Sequence, residues 1–226
     1  MKVFIFDLYN TLIEVKTDEH CERAWAPVVE YFGAHGLPVV PWTRLCELYD
    51  EYWDFFKKNE KNSQYAYPEC DCVEQFVTIA KNIGGSLSRE QAAEALRLMR
   101  KASTEVLRPF DGVNELFAAL RANGAKLYLL SNAQSAFTFD EIAACGLSGA
   151  FDGVLLSSDC GCRKPDPAFF GMLFDKFGLD KKSAVMVGDD RTSDGEGAQN
   201  FGIAYVYAGG GAPAVADELI RLSKNG

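Results

Sequence analysis

Histidine is nearly absent from this chain: His20 and His35 are the only two in 226 residues. Both lie far in sequence from every chemistry-bearing motif, so neither is a candidate for catalysis. Long apolar runs are missing too. No stretch approaches the roughly 18 residues needed to span a bilayer, and the N-terminal run from Val3 to Phe6 is too short for a secretory signal. Basic residues are the minority, 23 against 32 acidic, for a net charge of −9. That balance argues against a nonspecific grip on nucleic acid or on an anionic membrane. There is no internal repeat, no low-complexity tract and no Gly-x-Gly-x-x-Gly opening a helix. Gly209-Gly210-Gly211 therefore reads as a loop rather than a dinucleotide site. The seven cysteines are an odd number in a chain large enough to build its own core, which points to reduced thiols and a cytoplasmic location. Their two Cys-x-Cys pairs, at 70–72 and 160–162, lack the usual Cys-x2-Cys zinc spacing and read as small buried hydrophobes.

What is present is an ordinary globular composition, 48% apolar and 24% charged, enough for one large domain or a core with a smaller one. Short apolar runs at 3–6, 126–131, 153–158, 183–188 and 203–207, each bounded by turn residues, read as buried parallel strands. Helical patterns separate them. Asp111 is the expected N-cap of a helix over 112–122, Asp166-Pro167 opens another that stops at Gly178, and Asp194 and Gly202 bracket a third. Alternating strands and helices predict an α/β fold, a doubly wound parallel sheet with helices on both faces. Residues 15–105 break the alternation. Trp42, Leu45, Tyr49, Tyr52, Trp53 and Phe56 recur at helical spacing, and Ser88 with Gln91 forms a capping box for a helix reaching about Thr104. A four- or five-helix insertion (15–105) into a core (1–14 and 106–226) is expected, with some of its aromatics, around Tyr65 to Tyr67, facing a ligand.

Ligands of open α/β sheets bind at the carboxyl ends of the strands. Those ends carry Asp7, Ser131-Asn132, Lys164 in the loop after the third of these, and Gly188-Asp189-Asp190 with Asp194 one turn later. Asp7, Asp189, Asp190 and Asp194 cannot all ionise side by side unless a cation offsets their repulsion. Oxygen-only ligands select a hard ion such as Mg²⁺. Lys164 supplies a compact positive charge for the nucleophile and a transferring phosphoryl group. Ser131 and the amides after it are donors for phosphate oxygens.

In order and spacing, Asp7-x-Tyr9-x-Thr11, Ser131-Asn132, Lys164-Pro165 and Gly188-Asp189-Asp190-x3-Asp194 resemble the four motifs of the haloacid dehalogenase (HAD) superfamily. The insertion resembles the helical cap that one subgroup places just after its first motif. The resemblance implies a Rossmann-like core and Asp7 as nucleophile, with Tyr9, Thr11 and Lys164 beside it in the catalytic group. It further implies that Ser131, Asn132 and Lys164 bind substrate. Mg²⁺ would sit among Asp7, the Tyr9 main-chain carbonyl, Asp189, Asp190 and Asp194. The expected partner is a small phosphorylated molecule, and the expected assembly a monomer or homodimer.

Tyr9 departs from the family pattern, which usually reads Asp-x-Asp-x-Thr. The second aspartate is thought to shuttle the leaving-group proton, and tyrosine, with an ordinary pKa of about 10, is a poor substitute near neutrality. Tyrosine there also resembles the metal-independent 2-haloacid dehalogenases, which read Asp-x-Tyr-Gly-Thr and place a halide-contacting arginine early in the cap. Arg23 and Arg44 are the candidates for it here, while the Asp189-Asp190 pair favours the metal-dependent phosphatase. A binding or regulatory protein with weakened turnover is a third reading.

Overall fold

The computed structural model of the protein describes residues 2–224. β1 (Val3–Phe6) is apolar throughout and every residue of it is buried, as befits the central strand of a sheet covered on both faces. The sheet has five strands in the order β5-β4-β1-β6-β7, with β4 Lys126–Ser131, β5 Gly153–Leu156, β6 Ala184–Gly188 and β7 Ala204–Tyr207. All neighbours are parallel, and Phe6 lies opposite both Leu129 and Val187. Side chains alternate between faces along a strand. Phe4 and Phe6 accordingly pack with α5 (Val113–Ala122), α6 (Ser135–Ala144) and α9 (Ala216–Lys224), while Val3 and Ile5 pack with α7 (Pro167–Phe177) and α8 (Gly197–Phe201). The doubly wound sheet expected from the sequence is what forms.

Local signals mark most helix ends correctly. Asp166 accepts from the Ala168 amide at 2.9 Å ahead of Pro167, and Gly178 ends α7 in the left-handed region. Two expected caps differ. Gly112, at φ 92°, takes the cap of α5 in place of Asp111, because the chain turns through a conformation that excludes most side chains. Asp190, rather than Asp194, caps the next helical segment, a π-helical turn (Arg191–Glu196) that leads into α8.

The insertion contains four α-helices, α1 Glu22–Ala34, α2 Trp42–Asn59, α3 Cys72–Asn82 and α4 Arg89–Ser103, with both bonds of the Ser88–Gln91 capping box made. They share a core of their own around Trp25, which stacks on Phe76 and meets Tyr49 edge-on. Fully burying one such side chain contributes about 1.5–3 kcal/mol. An antiparallel ribbon, β2 (Ile13–Thr17) with β3 (Thr104–Pro109), joins insertion to sheet and runs across both expected boundaries. Its strands are short, charged and half-exposed, so no apolar run announces them.

A second connection is made by the segment before α3. Pro68 forms an antiparallel bridge with Cys162, the Glu69 amide donates to the Gly161 carbonyl at 3.0 Å, and the Arg163 amide donates to the Tyr67 carbonyl at 2.9 Å. This strap crosses the loop that carries Lys164. Proline fits there because the bridged pair itself exchanges no hydrogen bonds.

Candidate active site

Asp7 is the first residue past β1, its amide still bonded to the Val187 carbonyl at 2.9 Å. The parallel register brings the ends of β4 and β6, Ser131 and Gly188, to either side of it. Ser131 Oγ donates to Asp7 Oδ1 at 3.0 Å, and Lys164 Nζ reaches the same oxygen at 2.6 Å. Lys164 Nζ also reaches Asp194 Oδ1 at 2.6 Å, so one buried ammonium bridges two buried carboxylates. Burial alone would lower the Lys164 pKa, but the charges of Asp194 and Asp7 outweigh it and hold the ammonium above its ordinary value. Burial pushes the Asp194 carboxyl up, with Lys164 opposing and Asp7 adding to the rise.

Asp189 lies on the other side, its Oδ1 accepting from Thr11 Oγ1 at 3.0 Å. Burial and then the Asp7 charge raise its pKa. Carboxylate oxygens of Asp7, Asp189 and Asp194 lie within 4.8 Å of one another. Both Asp194 oxygens are spent, Oδ1 on Lys164 and Oδ2 on the Asp190 amide at 3.1 Å. Asp7 Oδ2 and Asp189 Oδ2 carry no such bonds among the described residues. In the turn at 8–13 the Leu8 carbonyl takes the amides of Thr11, Leu12 and Ile13, and among the described residues no backbone amide takes the Tyr9 carbonyl. An all-oxygen set of two carboxylates and one carbonyl suits a hard divalent ion that keeps its waters.

Three sequence expectations are corrected, for Asp190, for the Tyr9 hydroxyl, and for Arg23 and Arg44. The Asp190 carboxylate is turned to the amides of Thr192 and Ser193, at 2.8 and 3.2 Å, and is not one of the clustered acids. Burial alone would raise its pKa, but those amides more than offset this and lower it. Asn132 grips the backbone of Lys164 at both ends, Oδ1 accepting from its amide at 2.7 Å and Nδ2 donating to its carbonyl at 3.0 Å. Its side chain thus holds the lysine backbone while also lining a cavity beside it. The Tyr9 hydroxyl donates to Glu141 and lies 3.1 Å from Thr138 Oγ1, both on α6. Burial, then the Glu141 charge, raise its pKa further, and its hydroxyl is bonded on α6 rather than to the catalytic group in which the sequence placed it. Arg23 and Arg44 are tied to Glu105 and to Glu47 and Glu51, away from the cavity. Asn10, between Tyr9 and Thr11, adopts φ 58°, a left-handed conformation natural to glycine and tolerated by asparagine.

A cavity of about 590 Å³ opens beside Lys164, between insertion and sheet. Lys164, Asn132 and Tyr9 line its sheet side; Trp53, Tyr67 and Arg100 line the other. Tyr67 thus faces the cavity as expected, whereas Tyr65 packs with the sheet's second core. No motif or spacing marked Arg100 in advance. It sits in the last turn of α4, where a basic residue normally answers the helix dipole. Here it pairs with Glu141 at 2.7 Å and lies over the rings of Tyr9 and Phe137.

Comparison with known proteins agrees with this geometry. Residues 1–202 match the model of the haloacid dehalogenase-like hydrolases. The glyceraldehyde 3-phosphate phosphatase of Pyrococcus abyssi is 25% identical over 210 residues, 92% of this chain and 81% of that protein. The solved 2-haloacid dehalogenase of Pseudomonas syringae pv. Tomato DC3000 has a TM-score of 0.63 at 21% identity, over 92% of this chain and 86% of that one. The magnesium-bound HAD-hydrolase YfnB of Bacillus subtilis has a TM-score of 0.54 at 19% identity, over 91% and 87%. The four strand-end motifs, the bridging lysine and the family match together establish that this chain belongs to the haloacid dehalogenase-like hydrolases.

Proposed function

We propose that the protein hydrolyses small phosphate monoesters with Mg²⁺ held by Asp7, Asp189 and the Tyr9 carbonyl. The observation that carries this reading is Lys164 Nζ, bonded at once to Asp7 and Asp194 beside an all-oxygen acidic cluster. A metal-independent displacement of halide has no use for that cluster. The relatives named as phosphatases support the same reading. Bound Mg²⁺ would neutralise charge between Asp7 and the phosphoryl oxygens.

Ser131 and Lys164 both bond to Asp7 Oδ1 and so hold the Asp7 carboxylate in place as the nucleophile. Its attack on phosphorus breaks the phosphorus–oxygen ester bond, and the alkoxide leaves as an alcohol after taking a proton. Water then attacks the phosphorus of the aspartyl-phosphate, releasing inorganic phosphate and restoring Asp7. The Tyr9 hydroxyl is committed to Glu141, so esters of acidic alcohols, which need no proton to depart, are turned over best.

The test is p-nitrophenyl phosphate turnover with and without Mg²⁺, beside halide release from 2-chloropropionate. Mg²⁺-dependent nitrophenol release, abolished by Asp7→Asn, supports the proposal. Halide release indifferent to EDTA would sink it.

A further inference from the structure

α2 carries Cys46 and Asp50 one turn apart, so both side chains leave the helix on one face. The segment ahead of α1 brings His20 against that face, its Nε2 3.1 Å from Asp50 Oδ1. A ring nitrogen of His20, Cys46 Sγ and a carboxylate oxygen of Asp50 all lie within 4.8 Å of one another. Cys46 is buried, whereas the side chains of His20 and Asp50 are 62% and 54% exposed, so the group is closed on one side and open to water on the other.

Among the described residues no lysine or arginine pairs with Asp50, which meets His20 alone. Cys46 Sγ finds only the Glu19 carbonyl, at 4.0 Å, and that carbonyl already takes Trp25 Nε1 at 2.8 Å. An exposed contact of histidine with aspartate is worth little by itself and asks for no thiol beside it. Three donors of different kinds in one place select an ion. Imidazole nitrogen, thiolate and carboxylate are the ligands of Zn²⁺, at about 2.0–2.3 Å, whereas Mg²⁺ takes oxygen. Ligand atoms on a tetrahedral ion with such bonds stand about 3.2–3.8 Å apart, so movements of about 1 Å or less close the set.

We propose that His20, Cys46 and Asp50 form a Zn²⁺ site within the insertion, with water as the fourth ligand. The ion takes the lone pair of His20 Nε2, the nitrogen already beside Asp50, while the ring proton is carried on Nδ1. It displaces the Cys46 thiol proton to solvent, and thiolate and carboxylate together balance its charge. The site fastens α2 to the segment between β2 and α1. Glu19, next to His20, accepts from the Tyr49 hydroxyl at 3.0 Å, lies 3.8 Å from Arg100 and lines the cavity beside Lys164. Bound Zn²⁺ thereby fixes the segment that sets an acidic wall of that cavity.

The test is titration of the metal-free full chain with Zn²⁺ and with Co²⁺, in excess Mg²⁺ to occupy the all-oxygen cluster. Calorimetry should count one Zn²⁺ per chain that Mg²⁺ does not displace. Co²⁺ should give the near-ultraviolet charge-transfer band of a thiolate ligand, and Cys46→Ser should remove it. His20→Ala and Asp50→Ala change exposed side chains, so they report even if the buried Cys46 variant folds poorly. Each should weaken Zn²⁺ binding by about 100-fold or more, since losing a mere outer partner of a ligand costs about 10–100-fold. Cys21→Ala, whose thiol is turned to the Asp18 carbonyl at 3.3 Å, should bind as the wild type does, which separates this site from the general affinity of thiols for zinc. Zn²⁺ should raise the unfolding midpoint of the wild type and of Cys21→Ala, and leave that of the three ligand variants in place. Absence of a Zn²⁺ that resists Mg²⁺, unchanged binding in His20→Ala and Asp50→Ala, or equal loss in Cys21→Ala overturns the proposal.

Discussion

Replacing Arg100 by alanine cuts the main charged contact between α4 of the insertion and α6 of the sheet domain. The guanidinium meets Glu141 twice, Nε at 2.7 Å and Nη2 at 3.3 Å, with side chains only 12% and 9% exposed. It also lies 5.3 Å from the Tyr9 ring centre and 4.7 Å from that of Phe137. Arg100→Ala leaves the Glu141 carboxylate buried with only the hydroxyl of Tyr9 to answer it. Removing one partner of a buried pair costs about 3–5 kcal/mol, and the remaining exposure and the Tyr9 bond bring the expectation to about 2–4 kcal/mol. The double change Arg100→Met with Glu141→Leu should recover most of it, since well-packed apolar residues often replace a buried pair at little cost. Urea unfolding of the wild type, both single variants and an alanine double variant closes the cycle. Trp25, Trp42 and Trp53 all lie in the insertion, so their fluorescence reports that part while far-ultraviolet dichroism reports the whole. The two signals should move together. A loss below about 1 kcal/mol with no coupling between the two positions, the behaviour of an exposed pair, would refute the reasoning.

Three further outcomes follow from the site. Mg²⁺ at about 100 times its dissociation constant should stabilise the wild type by about 2.7 kcal/mol in thermal unfolding. Asp7→Asn and Asp189→Asn should abolish that shift and Asp190→Asn should keep it; loss in all three would restore Asp190 to the metal. Asn132→Ala, which frees the Lys164 backbone, should lower kcat on p-nitrophenyl phosphate by about 100-fold, the scale of a misplaced catalytic group; an unchanged kcat would deny it a positioning role. Tyr9→Phe should cost about 1–3 kcal/mol of stability, because Glu141 loses a donor. Its kcat should fall by less than the 10²–10⁴ or so expected of a lost general acid; a fall that large would return the proton shuttle to Tyr9.

The chemistry at the strand ends was legible because a parallel sheet fixes where strand ends meet. Asp7, Ser131, Lys164 and Asp194 needed only their places after short apolar runs to be brought together, and they are bonded to one another as that placement implies. What was not legible depends on side-chain direction across elements. Asp190 follows Asp189 by one residue, yet the turn of the chain gives one carboxylate to Thr11 and the other to its own amides. Tyr9 posed its question in the sequence, but Glu141 and Arg100, which answer it, come from α6 and α4 and carry no local mark of that task. The ribbon escaped notice for a different reason. Two half-exposed strands of five and six residues have no apolar face long enough to show a period.

The strap also governs how the cavity exchanges its contents. Three hydrogen bonds hold it, two between backbones and one from the Tyr67 amide to Asp166 Oδ2 at 3.2 Å, each contributing about 1 kcal/mol. Parting displaces Tyr67 and Glu69 from the loop at 161–163, yet the side chain of Asn132 still pins both backbone groups of Lys164. The entrance can therefore open and close while the ammonium stays on Asp7. Under the proposed function, admission of substrate and placement of Lys164 are separate equilibria, the first set by the strap and the second by the asparagine. Amide exchange at Glu69 and Arg163 should run ahead of exchange at Lys164, and equal rates at the three would show that the two motions are one.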